Sequence, residues 1–146
     1  MWREGAWLDL WSLVHLLSGV SFGLGISYLH FGALPSFLLV LVLLIAYELW
    51  EAMVRIAEAP TNRLMDVMVG LLGYSIAYWC IVPTLSTAQH LFTFEATVAV
   101  NIILATLGWH ASQKAAALKE RLRKRFAAER ATLLKRESRL RKKFKR

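Results

Sequence analysis

The chain has 146 residues, of which 57% are hydrophobic, and its mean hydropathy is +0.45, too apolar for an ordinary soluble domain of this length. The formal charge of +8 conceals a division: residues 1–113 carry three basic side chains (Arg3, Arg55, Arg63) against seven acids, whereas residues 114–146 carry fifteen Lys/Arg against Glu120, Glu129 and Glu137. A single cysteine, Cys80, excludes a disulfide framework and a cysteine metal site, and its apolar neighbours lead us to expect a buried filler.

A bilayer core of about 30 Å needs roughly 20 helical residues, and four stretches reach that length, near 7–29, 35–57, 64–86 and 91–111. The fold class expected is therefore all-α: a four-helix transmembrane domain over 1–111 and a basic cytoplasmic amphipathic helix over 112–146. The N-terminus has no basic region, short apolar stretch and small-residue cleavage site in series, so the first helix is expected to stay as an anchor. Phe31–Pro35 and Ser86–His90, the first and third connections, contain no Lys or Arg, whereas Arg55 and Arg63 flank the second and the basic tail follows the fourth span. The positive-inside bias then puts both termini in the cytoplasm of a bacterial inner membrane, with Trp2, Trp7, Trp11 and Trp109 near the cytoplasmic interface. Pro60 is expected to stop the second helix, with Thr61 or Asn62 capping the third.

Ionisable groups at bilayer depth cost at least ~2.5–3.5 kcal/mol each, so each needs a reason. His15 and Glu48 are expected roughly 12–14 Å below the cytoplasmic surface at 1.5 Å per residue, where they can meet. Glu48, Glu51 and Arg55 share one face of the second helix, and Glu51 precedes Arg55 in the favourable order. On the third helix Asn62, Asp66, Gly70, Gly73 and Ala77 share a face, and on the first Ser12, His15, Gly19 and Gly23 do. Small residues at this spacing let helix backbones approach closely, so the first three helices are expected to pack and to gather His15, Glu48, Glu51 and Asp66 into a polar cluster. Glu95 and Asn101, in the fourth span, do not join it. His30, His90 and His110 fall at membrane boundaries and are read as interface residues.

His15 with Ser18-Gly19, then Glu48-Leu49-Trp50-Glu51, then Asn62 followed by Asp66, Gly70 and Gly73, resembles the VanZ-like family and related small uncharacterised bacterial membrane proteins. The resemblance covers residues 8–75, with Asn62 where VanZ-like proteins often carry Arg. It implies a four- to five-helix membrane fold, in a family some of whose members are associated with glycopeptide resistance. The basic tail lies outside it.

No hydrolytic motif, paired serine nucleophile or cysteine cluster is present, so no catalytic residue and no resident cofactor is assigned. The polar cluster is read as fold glue or, alternatively, as a site for a divalent cation, protons or a lipid headgroup.

In the tail, Leu118, Leu122, Phe126, Leu133, Leu140 and Phe144 fall in a stripe of about 80° on a 3.6-residue helix. Arg121, Arg123, Lys124, Arg125, Lys135, Arg136, Arg139, Arg141, Lys142 and Lys143 fill most of the remainder. No Pro or Gly follows Gly108, so a helix of about 50 Å beyond the fourth span is expected. Three partners fit, in this order: anionic lipid; another membrane or cytoplasmic protein; and nucleic acid, for which the tail offers only two aromatics and no reading motif.

Overall fold

A computed structural model describes residues 10–53 and 60–143, with side chains as far as Leu134. The described residues are helical and contain no strand: α1 (Leu10–Ser27), α2 (Ala33–Met53), α3 (Pro60–Ser75) and α4 (Thr87–Lys143). Between α3 and α4 run a π-helical turn, Ile76–Ile81, and a short 3-10 turn, Val82–Thr84. Four helical segments, Leu10–Ser27, Ala33–Met53, Pro60–Thr84 and Thr87–Leu134, are long and apolar enough to cross a membrane. The chain divides into two units, Met1–Trp109 and His110–Arg146.

Several helix ends differ from the sequence expectation, each for a local reason. Pro60 opens α3, where its missing N–H is no loss, and the residues between it and Met53 of α2 lie outside those described. Asn62 is not a cap: it lies within α3, and its side-chain amide donates to Asp66 one turn on, 3.0 Å away. Residues 64–86 are not one α-helix, because Pro83 cannot donate and its ring clashes with the carbonyl four residues back. The helix widens ahead of it, and the Val82 N–H reaches Ala77 O, five residues back. Helix α4 begins at Thr87 rather than near 91. The Ser86 N–H and hydroxyl donate to Gln89 Oε1 at 2.9 and 2.8 Å, and the Gln89 N–H returns to Ser86 Oγ at 3.4 Å, a reciprocal cap. His30 ends the turn after α1 with φ 55°, a left-handed conformation that histidine tolerates better than most non-glycine residues.

In the first unit α3 is the shared partner: its longest contact is with α1 and a shorter one is with α2, while α1 and α2 meet little directly. The close approach of α1 and α3 requires glycine. A Cβ on Gly19 would overlap the Gly70 carbonyl, and one on Gly73 would overlap the Leu16 carbonyl. Ile26, Val40, Leu44 and Tyr74 form the apolar core beside this seam.

That core is small. Buried hydrophobic residues (Val14, Leu24, Ile26, Val40, Leu44, Tyr74, Ala77) are matched in number by buried polar ones (Ser12, His15, Ser36, Glu48, Glu51, Asn62, Asp66) among the described residues. Meanwhile Leu34, Val42, Leu49, Trp79, Phe92 and Ile102 are all exposed. A fold stabilised by water would place these groups the other way round.

Candidate functional site

Six of the seven buried polar groups, all but Ser36, lie near the N-terminal end of α1, the C-terminal end of α2 and the N-terminal end of α3. The turn spacing on each helix puts them there: Ser12 and His15 on α1, Glu48 and Glu51 on α2, Asn62 and Asp66 on α3. All six are more than nine-tenths buried. Asp66 is the most constrained member. Its Oδ1 accepts from Ser12 Oγ at 2.6 Å and its Oδ2 from Asn62 Nδ2 at 3.0 Å. His15 lies between carboxylates, with Nδ1 3.6 Å from Glu48 Oε1 and Nε2 3.9 Å from Asp66 Oδ2. The edge of the ring meets Tyr47 at a centroid distance of 5.4 Å. One ligand atom each from His15, Glu48 and Glu51 lies within 4.8 Å of the others.

The Asn62 carbonyl oxygen Oδ1 is buried and has no hydrogen-bond donor, a condition that typically costs ~1–3 kcal/mol. The amide is pinned to Asp66 through its nitrogen, which leaves the oxygen over.

Arg55 lies outside the described residues, as do Trp2, Trp7 and Phe144; Arg63 is half-buried on α3. Gly19, Gly23, Gly70, Gly73 and Ala77 are all buried along the α1/α3 seam. The contribution of Ser12 to the cluster is absent from the sequence reading of the site, although its place one turn before His15 was the available signal. Tyr47, adjacent to Glu48, had no periodic signal to single it out.

One expectation is corrected: Cys80 is exposed, not buried, on the π-helical turn. His90 is half-buried. Its ring stacks on Tyr28 at 4.3 Å with an 8° interplanar angle. Its Nε2 lies 3.0 Å from Leu24 O and 3.1 Å from Ser27 Oγ; since a carbonyl only accepts, Nε2 carries the proton. Asn101 Nδ2 donates to Ser18 Oγ at 2.8 Å, so Asn101 also ties α4 to α1. Glu95 is exposed, and His30 is exposed with its Nδ1 3.1 Å from Ser27 O.

In the second unit, every described side chain from Gln113 to Leu134 is exposed, including Leu118, Leu122, Phe126 and Leu133. Arg121, Arg123, Lys124 and Arg125 are among them; Lys124 pairs with Glu120 at 3.5 Å, an exposed pair that contributes little. The helix runs to Lys143, and the side chains of Lys135, Arg136, Arg139, Leu140, Arg141, Lys142 and Lys143 lie outside those described. Comparison of the chain with protein-family models, with curated proteins and with solved structures finds no match.

Proposed function

We propose that the chain is a non-enzymatic integral component of the bacterial inner membrane, an anchor or assembly subunit, with both termini cytoplasmic and a basic C-terminal helix that docks on anionic lipid. The observation that carries this reading is the division of charge along one chain: apolar helices with uncharged first and third connections, then fifteen cations in the last 33 residues. A Lys or Arg near an anionic leaflet gains about 1 kcal/mol, so even five engaged cations supply about 5 kcal/mol, and an embedded apolar stripe adds to that. A larger cytoplasmic-side assembly is the other surface such a helix suits, the stripe packing on a partner helix and the charges steering encounter.

The test uses the full chain in lipid nanodiscs, with hydrogen exchange followed over residues 115–143. In discs with 30% anionic lipid, exchange is expected to slow by about tenfold or more relative to neutral discs, and the slowing is expected to vanish at high salt. Equal exchange in both lipids would contradict lipid docking.

A second reading is favoured by one specific observation, the convergence of His15, Glu48 and Glu51 within 4.8 Å at a buried position. On that reading the chain is a small VanZ-like transporter or lipid-modifying protein that works through the cluster. The two readings separate cleanly: deleting residues 115–146 abolishes function on the first, whereas Glu48→Gln and Asp66→Asn abolish it on the second.

A further inference from the structure

The apolar stripe on the basic helix has an acid inside it. Leu118, Leu122, Phe126 and Leu133 recur at spacings of four, four and seven residues, and Glu129 divides the seven into three and four. At about 100° per residue it falls between Leu118 and Leu122 around the helix, within the stripe of about 80°. Glu120 lies about 160° from Leu122, on the opposite face.

The two acids differ in their partners as well. Glu120 precedes Lys124 by one turn, the favourable order, and pairs with it at 3.5 Å. Glu129 follows Arg125, the less favourable order, and Thr132 and Leu133 stand where a cation one turn on would be. Among the described residues Glu129 makes no ion pair, and its side chain is exposed. No other element packs on this segment, since every described side chain from Gln113 to Leu134 is exposed. The charged groups around Glu129 are therefore those of its own helix: Arg125 and Arg130, with Arg136 two turns on and its side chain outside those described.

Seating the stripe on a bilayer carries Glu129 into the apolar boundary, beneath a leaflet of its own sign. Desolvation and like charge both disfavour the carboxylate there, and both fall away for the neutral acid. We propose, resting on the lipid docking put forward above, that docking of the basic helix is proton-linked through Glu129. The ionised side chain opposes seating of the stripe, and the protonated one permits it. The sign follows from linkage: the docked helix holds this proton more tightly than the undocked one, so docking strengthens as pH falls and weakens as it rises. Glu120 stays in water in both states and has no such effect beyond its charge.

The experiment uses the full chain in nanodiscs containing phosphatidylglycerol, at a content where the wild type is half docked. An environment-sensitive fluorophore at Ala115→Cys, an exposed position on the stripe face, in a Cys80→Ala background reports the docked-to-undocked ratio. At about pH 7.5, Glu120→Gln is expected to raise that ratio about 5-fold or less, the effect of one charge anywhere near the leaflet. Glu129→Gln is expected to raise it at least ~25-fold, because burial adds to charge. Between about pH 7.5 and about pH 5 the wild-type ratio is expected to rise at least ~10-fold, and that of Glu129→Gln less than ~3-fold. Equal ratios in the two variants, a wild type indifferent to pH, or a full pH response in Glu129→Gln would overturn the linkage while leaving lipid docking in place. A probe that reports no docking at any phosphatidylglycerol content would overturn the docking, and the linkage with it.

Discussion

Gly19 and Gly73 face backbone across the α1/α3 seam, and backbone cannot rotate away as a side chain can. Gly19→Ala and Gly73→Ala are therefore each expected to lower stability by about 2–3 kcal/mol, measured as thermal unfolding in detergent. Gly32→Ala is the control: its added Cβ would sit 3.6 Å from Pro35 Cδ, ordinary contact at an exposed position, and a change within about 0.5 kcal/mol is expected. Ser12 supplies a second contrast. Its hydroxyl donates to a buried carboxylate at 2.6 Å, so Ser12→Ala is expected to cost about 2 kcal/mol in the same assay. Ser21 donates only to the Leu17 carbonyl of its own helix, and Ser21→Ala should cost under about 0.5 kcal/mol. The glycine faces were legible as three- and four-residue spacing. The partner of Ser12 was not: it lies 54 residues away, and only the packing of α1 on α3 selects Asp66 over the other carboxylates.

At the scale of elements, what the sequence left unread lies where local chemistry departs from apolar periodicity. The start of α4 was written in Ser86-Thr87-Ala88-Gln89, a Ser-x-x-Gln cap, but hydropathy alone sets a boundary where the apolar run begins, four residues later. The π-helical turn before Pro83 was equally invisible to periodicity, which assumes one residue count per turn. His90 matters more than its boundary position suggested, because it joins the beginning of α4 to the end of α1 by one aromatic stack and a shared N–H. His90→Ala is expected to remove that tie and to raise hydrogen exchange over residues 87–94 by about tenfold or more, with α2 and α3 unaffected. Equal exchange in the variant would mean that the Asn101–Ser18 hydrogen bond and the edge-on contact of Phe94 with Tyr28, ring centroids 6.3 Å apart, suffice to hold the start of α4. Cys80 marks a different limit: within an apolar run, sequence does not distinguish the face toward other helices from the face toward lipid.

For the molecule as a whole, the distribution of polarity is the strongest sign of its solvent. Glu48, Glu51, Asp66 and His15 are inside while leucine, phenylalanine and tryptophan side chains are outside. In water that arrangement exposes apolar area and desolvates charge at once, two unfavourable terms; in lipid the first term vanishes, and the polar groups gather because lipid offers them nothing. The same placement explains why the cluster and the glycine seam share helix faces, since close backbones bring short polar side chains within reach of one another. On the function proposed above, the charge-poor first and third connections and the basic tail would orient this body, with the basic segment on the cytoplasmic side.

Orientation is tested most directly by cysteine labelling in right-side-out membrane vesicles, with Cys80→Ala as background and single substitutions Ser86→Cys and Thr132→Cys, both at exposed positions. A membrane-impermeant maleimide is expected to label the Ser86→Cys protein from outside and to reach the Thr132→Cys protein only after the vesicles are opened. Labelling of Thr132→Cys in sealed vesicles, or protection of Ser86→Cys until they are opened, would contradict a membrane body with its basic helix on the cytoplasmic side.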